Sequence, residues 1–199
     1  MTGRALVRVE LAGIPGAGKS WLAAYLAAEV ERAGLKVAEP GRRVGPDVGA
    51  VQRLSRKAAT VAAAAVREPA LTRALARAVA ASGQPGVQDV AARIVQWQVA
   101  QGALRHLPPD DEQVSVRLLD EGLVQSLWSI GLRGDVQPSL ATLDASDRWQ
   151  AADLLVVVRT PPAVAAARLA SRASRHSRSQ QLSPEDLLAE LQRGDQLLG

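Results

Sequence analysis

Eight residues near the amino terminus constrain this chain more than any others. Gly13-Ile14-Pro15-Gly16-Ala17-Gly18-Lys19-Ser20 fits G-x-x-x-x-G-K-[ST] at every fixed position. The spacing has a mechanical reason. Glycines let the backbone curl until successive N–H groups face inward. The Lys ammonium and Ser hydroxyl then stand at the mouth of the curl, beside the positive end of the helix that begins there. A loop of this kind cradles phosphates when it joins a strand to a helix, and the flanks meet that condition. Ala5 to Ala12 alternates Val7, Val9 and Leu11 with Arg8 and Glu10, a strand pattern. Ser20 to Ala33 reads as a helix ended by Gly34. Gly13, Pro15, Gly16, Ala17, Gly18, Lys19 and Ser20 are therefore expected to hold ATP. Lys19 would reach the β- and γ-phosphates and Ser20 would ligate Mg²⁺.

The rest of the chain alternates in the same manner. Leu35 to Ala38 is a second short strand, closed by Pro40-Gly41, and the Gly- and Pro-containing segment to Gly49 is a loop. A long helical stretch follows, broken at Pro69 and at Ser82-Gly83-Gln84-Pro85-Gly86. The helix from Val87 to about Leu107 carries Val90, Ile94, Trp97 and Leu104 on one stripe. Val114 to Leu119 is a third strand, with helices at Leu123 to Leu132 and around Ser139 to Ser146. Asp153 to Val158 contains an unbroken apolar run, which suggests a strand buried on both faces. Thr160-Pro161-Pro162 opens the next helix, and Ser183-Pro184-Glu185-Asp186 caps the last.

Strands alternating with helices imply an α/β fold: a three-layer sandwich with a short parallel sheet of four or five strands, helices on both faces. With 199 residues, the chain is expected to form one P-loop NTPase domain spanning 1–199. Hydrophobic residues are 47% and aromatics 3%, so Ala, Leu and Val must build the core. There is no Cys, which excludes disulfides and thiol chemistry. No apolar run approaches the ~20 residues of a membrane span. Met1-Thr2-Gly3-Arg4 leads straight into a strand, so no signal peptide is expected and a cytoplasmic location is.

A phosphate loop needs a carboxylate at the end of a neighbouring strand. Asp120, after Val116-Arg117-Leu118-Leu119, is the candidate for metal and catalysis. Glu121 either assists at the metal or caps the next helix. Glu39 ends the second strand, where strand carboxyl ends converge on a ligand crevice, and is a candidate base for an attacking hydroxyl. Glu10 is expected to pair with Arg8 on one face of the first strand. Arg168, Arg172 and Arg175 recur at helical spacing and can converge on anionic oxygens. Arg168 and Arg172 are the candidates for stabilising transferred charge, in a lid-like segment at about 168–182. Gln96, Gln125 and Trp97 are candidates to meet an acceptor base, and Arg42, Arg43 or Arg53 an acceptor phosphate. For each, an ordinary solvated or core role is the simpler reading.

Taken together, these residues resemble the P-loop nucleoside and nucleotide kinases, the thymidylate-kinase-like group in particular. Glu39-Pro40-Gly41 is similar to the Arg-Glu-Pro-Gly stretch after that group's second strand, with Ala38 at the Arg position. Asp120 sits where those kinases carry an acid after the third strand, but Glu121-Gly122 follows instead of Arg-Tyr or Arg-Ser. Val158 to Pro162, through Arg168, Leu169 and Arg172, resembles the strand–Pro–helix–Arg pattern leading into the family lid. Two departures, Ala38 and Glu121, leave thymidylate itself in doubt as acceptor. The family's fifth strand has no counterpart before Gly199, which implies a shorter sheet or a truncated chain.

The resemblance and the residues lead to one expectation, a kinase moving the γ-phosphoryl of ATP to a small acceptor, with Mg²⁺. The alternative is a P-loop ATPase or nucleotide-binding switch or regulator, associated with nucleic acid or not. A net charge of +4, almost all from Arg, motivates that alternative. There is no guanine-reading Asn-Lys-x-Asp and no aromatic-rich basic patch. A small-molecule acceptor is therefore the expected partner rather than nucleic acid or membrane, and a second copy of the chain is also open as a partner.

Overall fold

The computed structural model describes residues 6–39, 50–105, 114–146, 150–171 and 181–199. Among these, four strands form one all-parallel sheet in the order β2-β3-β1-β4: β1 Val7–Ala12, β2 Val37–Ala38, β3 Val116–Leu119 and β4 Leu154–Val157. Val7 to Glu10 pair with Val116 to Leu119, and Val9 to Ala12 pair with Leu154 to Val157. Eight helices accompany them: α1 Lys19–Arg32, α2 Ala50–Arg67, α3 Pro69–Ala81, α4 Val87–Arg105, α5 Leu123–Gly131, α6 Gln137–Asp144, α7 Pro162–Ala170 and α8 Pro184–Gln196. The fold is α/β, as expected. None of the described helices is long and apolar enough to cross a membrane.

Strand alternation sends consecutive residues to opposite faces. Leu118 packs with Val9 and with Ala27 of α1 on one face. Leu119 turns to the other face and joins Leu75 and Val79 of α3, Trp97 and Leu104 of α4, and Leu123 and Ile130 of α5. The expected α4 stripe is part of that cluster, with Val90 and Ile94 against it. Helices thus cover both faces of the sheet. A third cluster holds α7 and α8 to the loop after β1: Ile14 and Ala17 meet Trp128, Leu132, Ala165, Leu169, Leu187 and Leu191. The α8 cap forms as its sequence implies, Ser183 Oγ accepting from the Asp186 amide at 3.1 Å.

Two expectations are corrected. β4 is not buried on both faces: Leu154, Leu155 and Val157 are exposed. It lies at the sheet edge with β1 as its strand neighbour, and α7 folds over the Gly-rich loop rather than back along the strand. Nor does Glu10 pair with Arg8. Glu10 is only 1% exposed, and its carboxylate sits at the amino terminus of α5, accepting the Gln125 amide at 3.0 Å. Arg8 Nε is buried with no hydrogen-bond partner among the described residues. The positive end of a helix has displaced the salt bridge.

Candidate functional site

The strand order fixes where a ligand can sit. From β1 the chain leads towards β2 on one side, and from β3 it crosses β1 to reach β4 on the other. The order therefore reverses at β1 and β3, the place where open α/β sheets bind ligands beyond their carboxyl ends. The Gly13–Ser20 loop leaves β1 at this point. Asp120 and Glu121 leave β3 beside it, one step past the Leu119–Glu10 pair.

The loop is held from outside by its carbonyls. Thr160 Oγ1 donates to the Ala17 carbonyl at 3.0 Å. Arg168 Nη1 lies 3.4 Å from the carbonyls of both Gly16 and Ala17. Lys19 Nζ donates to the Gly13 carbonyl at 2.7 Å and to that of Ile14 at 3.3 Å. A planar trans peptide points its N–H opposite to its C=O. With the Ala17 carbonyl pinned towards Thr160 and α7, the Gly18 amide must point away from them. Gly16 and Gly18 adopt φ of 84° and 102°, a region that favours glycine.

Two amides of the loop are already engaged. Gly13 N–H donates to Gln125 Oε1 at 3.1 Å, and Ala17 N–H to the Ile14 carbonyl at 3.1 Å. Pro15 has none to offer. Those of Gly16, Gly18 and Ser20 have no hydrogen-bond partner among the described residues. The Ser20 side chain is exposed at the start of α1.

α7 closes one side of the loop tightly. A Cβ on Gly16 would lie 2.6 Å from the Ala165 carbonyl, and one on Gly13 would lie 2.6 Å from that of Val158. Beneath the loop, Gln125 joins two elements: its amide caps onto Glu10 and its side chain holds Gly13. Burial pushes the Glu10 carboxyl above its ordinary range, partly offset by the amides of Gln125, Val124 and Leu123. A Cβ on Gly122 would lie 2.3 Å from the Glu10 carboxyl carbon, so glycine there lets α5 approach the carboxylate.

The structure thus brings the loop residues, Lys19, Ser20 and Arg168 together, with Asp120 and Glu121 at the neighbouring strand end. Asp120 is half-buried and makes no hydrogen bond or ion pair among the described residues. Glu39 follows β2 at the same end of the sheet, the far side of β3. Arg172, Arg175, Arg42 and Arg43 lie outside the described residues, as do Pro40-Gly41 and most of the lid-like segment; so does the Arg53 side chain. Trp97 is core, and Gln96 is tied to Ser129 Oγ at 3.2 Å. Gln125 belongs beneath the loop rather than beside an acceptor. Glu10, Gln125 and Thr160 support the loop, a role that the sequence pattern assigned to none of them. Their contacts span 115, 112 and 143 positions and depend on the strand order. The one local signal is a Glu inside an otherwise apolar strand end.

Among the described residues, no group of three or more His, Asp or Glu is placed to hold a metal. A cleft of about 580 Å³ lies beyond Glu10, between α5, α6 and β4, lined by Leu127, Leu140, Leu143 and Leu155. No protein-family model matches the chain, and no curated protein matches it significantly.

Proposed function

We propose that the chain is a P-loop phosphotransferase, moving the γ-phosphoryl of ATP to the hydroxyl of a small acceptor. The observation that carries this is the Gly13–Ser20 loop itself, at the strand-order reversal, with Gly16, Gly18 and Ser20 amides unengaged and Lys19 lying across the curl. Those amides and the Lys19 ammonium suit the oxygens of a triphosphate. On binding, Lys19 exchanges its loop carbonyls for phosphate oxygens. The residues also fit Mg²⁺, which keeps several waters and needs few protein ligands: the Ser20 hydroxyl and the Asp120 carboxylate, with Glu121 assisting. That ion would neutralise charge on the phosphates.

Arg168 is a few ångströms from the loop and is the group to meet charge developing on the transferred phosphoryl, with Arg172, four positions on in the sequence, as the second candidate. Glu39, near the other wall of the crevice, takes the acceptor's hydroxyl proton. The likeness to thymidylate-kinase-like proteins, carried by Glu39-Pro40-Gly41, Asp120 and the Arg segment, supports a nucleoside or nucleotide acceptor.

The test is ADP release from Mg-ATP with a panel of nucleosides, nucleotides and other hydroxyl compounds. Acceptor-stimulated turnover that falls at least a hundredfold in Lys19→Ala is expected. ATP hydrolysis untouched by every acceptor points instead to an ATPase. Binding without turnover points to a regulator.

A further inference from the structure

Among the described residues, β4 has β1 on one side and no strand on the other. In its parallel ladder the Val158 amide donates to Ala12 at 2.7 Å. Alternation then turns the main-chain groups of Leu155 and Val157 away from β1, towards the open edge. Leu154, Leu155 and Val157 are 54%, 44% and 37% exposed. Leu155 also lines the cleft beside α5 and α6, so the apolar surface continues inward from the edge. An open apolar edge of this kind templates pairing with another strand.

The residues flanking β4 select the occupant. Exposed Asp153 precedes the apolar run and exposed Arg159 follows it. We propose that β4 pairs antiparallel with the β4 of a second copy of this chain, about a two-fold axis through Val156. In that register Leu155 of one copy opposes Val157 of the other, and Leu154 opposes Val158. At both ends Asp153 opposes Arg159. The outward main-chain groups of Leu155 and Val157 form the hydrogen-bonded pairs, and Val156 meets itself at the non-hydrogen-bonded position. Side chains that share a face within one chain still share it across the axis, giving a continuous eight-stranded sheet. The segment is thus its own complement in shape and charge, as a two-fold interface requires. A parallel partner of the same sequence would set like charges together, and a strand with one sign of charge would match one end alone.

Sedimentation velocity on the full chain from 1 to 100 µM tests this. A dimer is expected, and Leu155→Lys should raise its dissociation constant at least tenfold. Asp153→Arg and Arg159→Asp should each weaken it at least threefold, and the two combined in one chain should restore it. Asp153 also accepts the Arg8 amide at 2.7 Å and Arg159 Nη2 donates to the Leu198 carbonyl at 3.0 Å, but neither lost bond is repaired by the second substitution, so rescue reports on the interface. If Leu155→Lys does not fold, the charge exchange alone decides. A wild-type monomer throughout the range, a dimer indifferent to Leu155→Lys, or a double variant no better than the singles overturns the proposal.

Discussion

Thr160 and Glu10 act on the loop without being part of it. Thr160 pins the Ala17 carbonyl, and through the rigid peptide it aims the Gly18 amide. Thr160→Val keeps the shape and removes the donor; a loss of about 1 kcal/mol in urea unfolding is expected, with Mg-ATP affinity reduced severalfold by calorimetry. Unchanged affinity would remove Thr160 from the account. Glu10 has a pH signature. Its native carboxyl keeps its proton to higher pH than the unfolded chain's, whose ordinary value is 4.5. The native state therefore binds more protons in the window above that value, and stability contributed by Glu10 falls as pH rises through it. Glu10→Gln removes this slope. The stability of the variant relative to wild type should rise as pH climbs above 4.5, measured by urea unfolding at each pH. A relative stability that falls with pH would reverse the assignment.

Among the elements, α7 and α8 decide whether the loop keeps its form. Gly16 lets α7 lie against the loop, and Gly194 lets α8 approach Trp128, whose indole N–H donates to the Gly194 carbonyl at 2.7 Å. Arg133 of the α5–α6 turn pairs with Glu190 to fasten the same contact. Leu191 is fully buried between these helices, and Leu191→Ala should cost about 2–5 kcal/mol in unfolding experiments. Gly16→Ala meets the Ala165 carbonyl and a left-handed φ together. A loss of about 1–3 kcal/mol is expected there, with nucleotide affinity falling alongside. Helix existence was legible locally: breaks at Pro69 and Gly83, the Ser183 cap and the α4 stripe all lie where periodicity and punctuation put them. The burial of β4 was not, because Leu154-Leu155-Val156-Val157 reads alike in a central strand and at an edge. Strand order, a long-range property, separates the two.

At the scale of the whole molecule, the sheet order does what the sequence could only imply. It sets the ends of β1 and β3 side by side, so a motif at residue 13 and a carboxylate at residue 120 leave the sheet next to each other. It also places two buried charges against helix ends on one face: Glu10 at the start of α5, and Arg117 donating to the Leu104 carbonyl at 3.2 Å, at the end of α4. The octapeptide stands out in the sequence because its spacing has a mechanical purpose. Gln125 and Thr160 gave no such signal, since a lone Gln or Thr has many uses. The proposed function requires that the Gly13–Ser20 loop grip a triphosphate. Isothermal titration of Mg-ATP into wild type and Lys19→Ala, with circular dichroism to establish that both are folded, tests it most directly. Saturable binding by wild type, weakened at least tenfold in the variant, is expected; equal affinity in two folded proteins, or no binding by wild type, rules out a triphosphate grip by this loop.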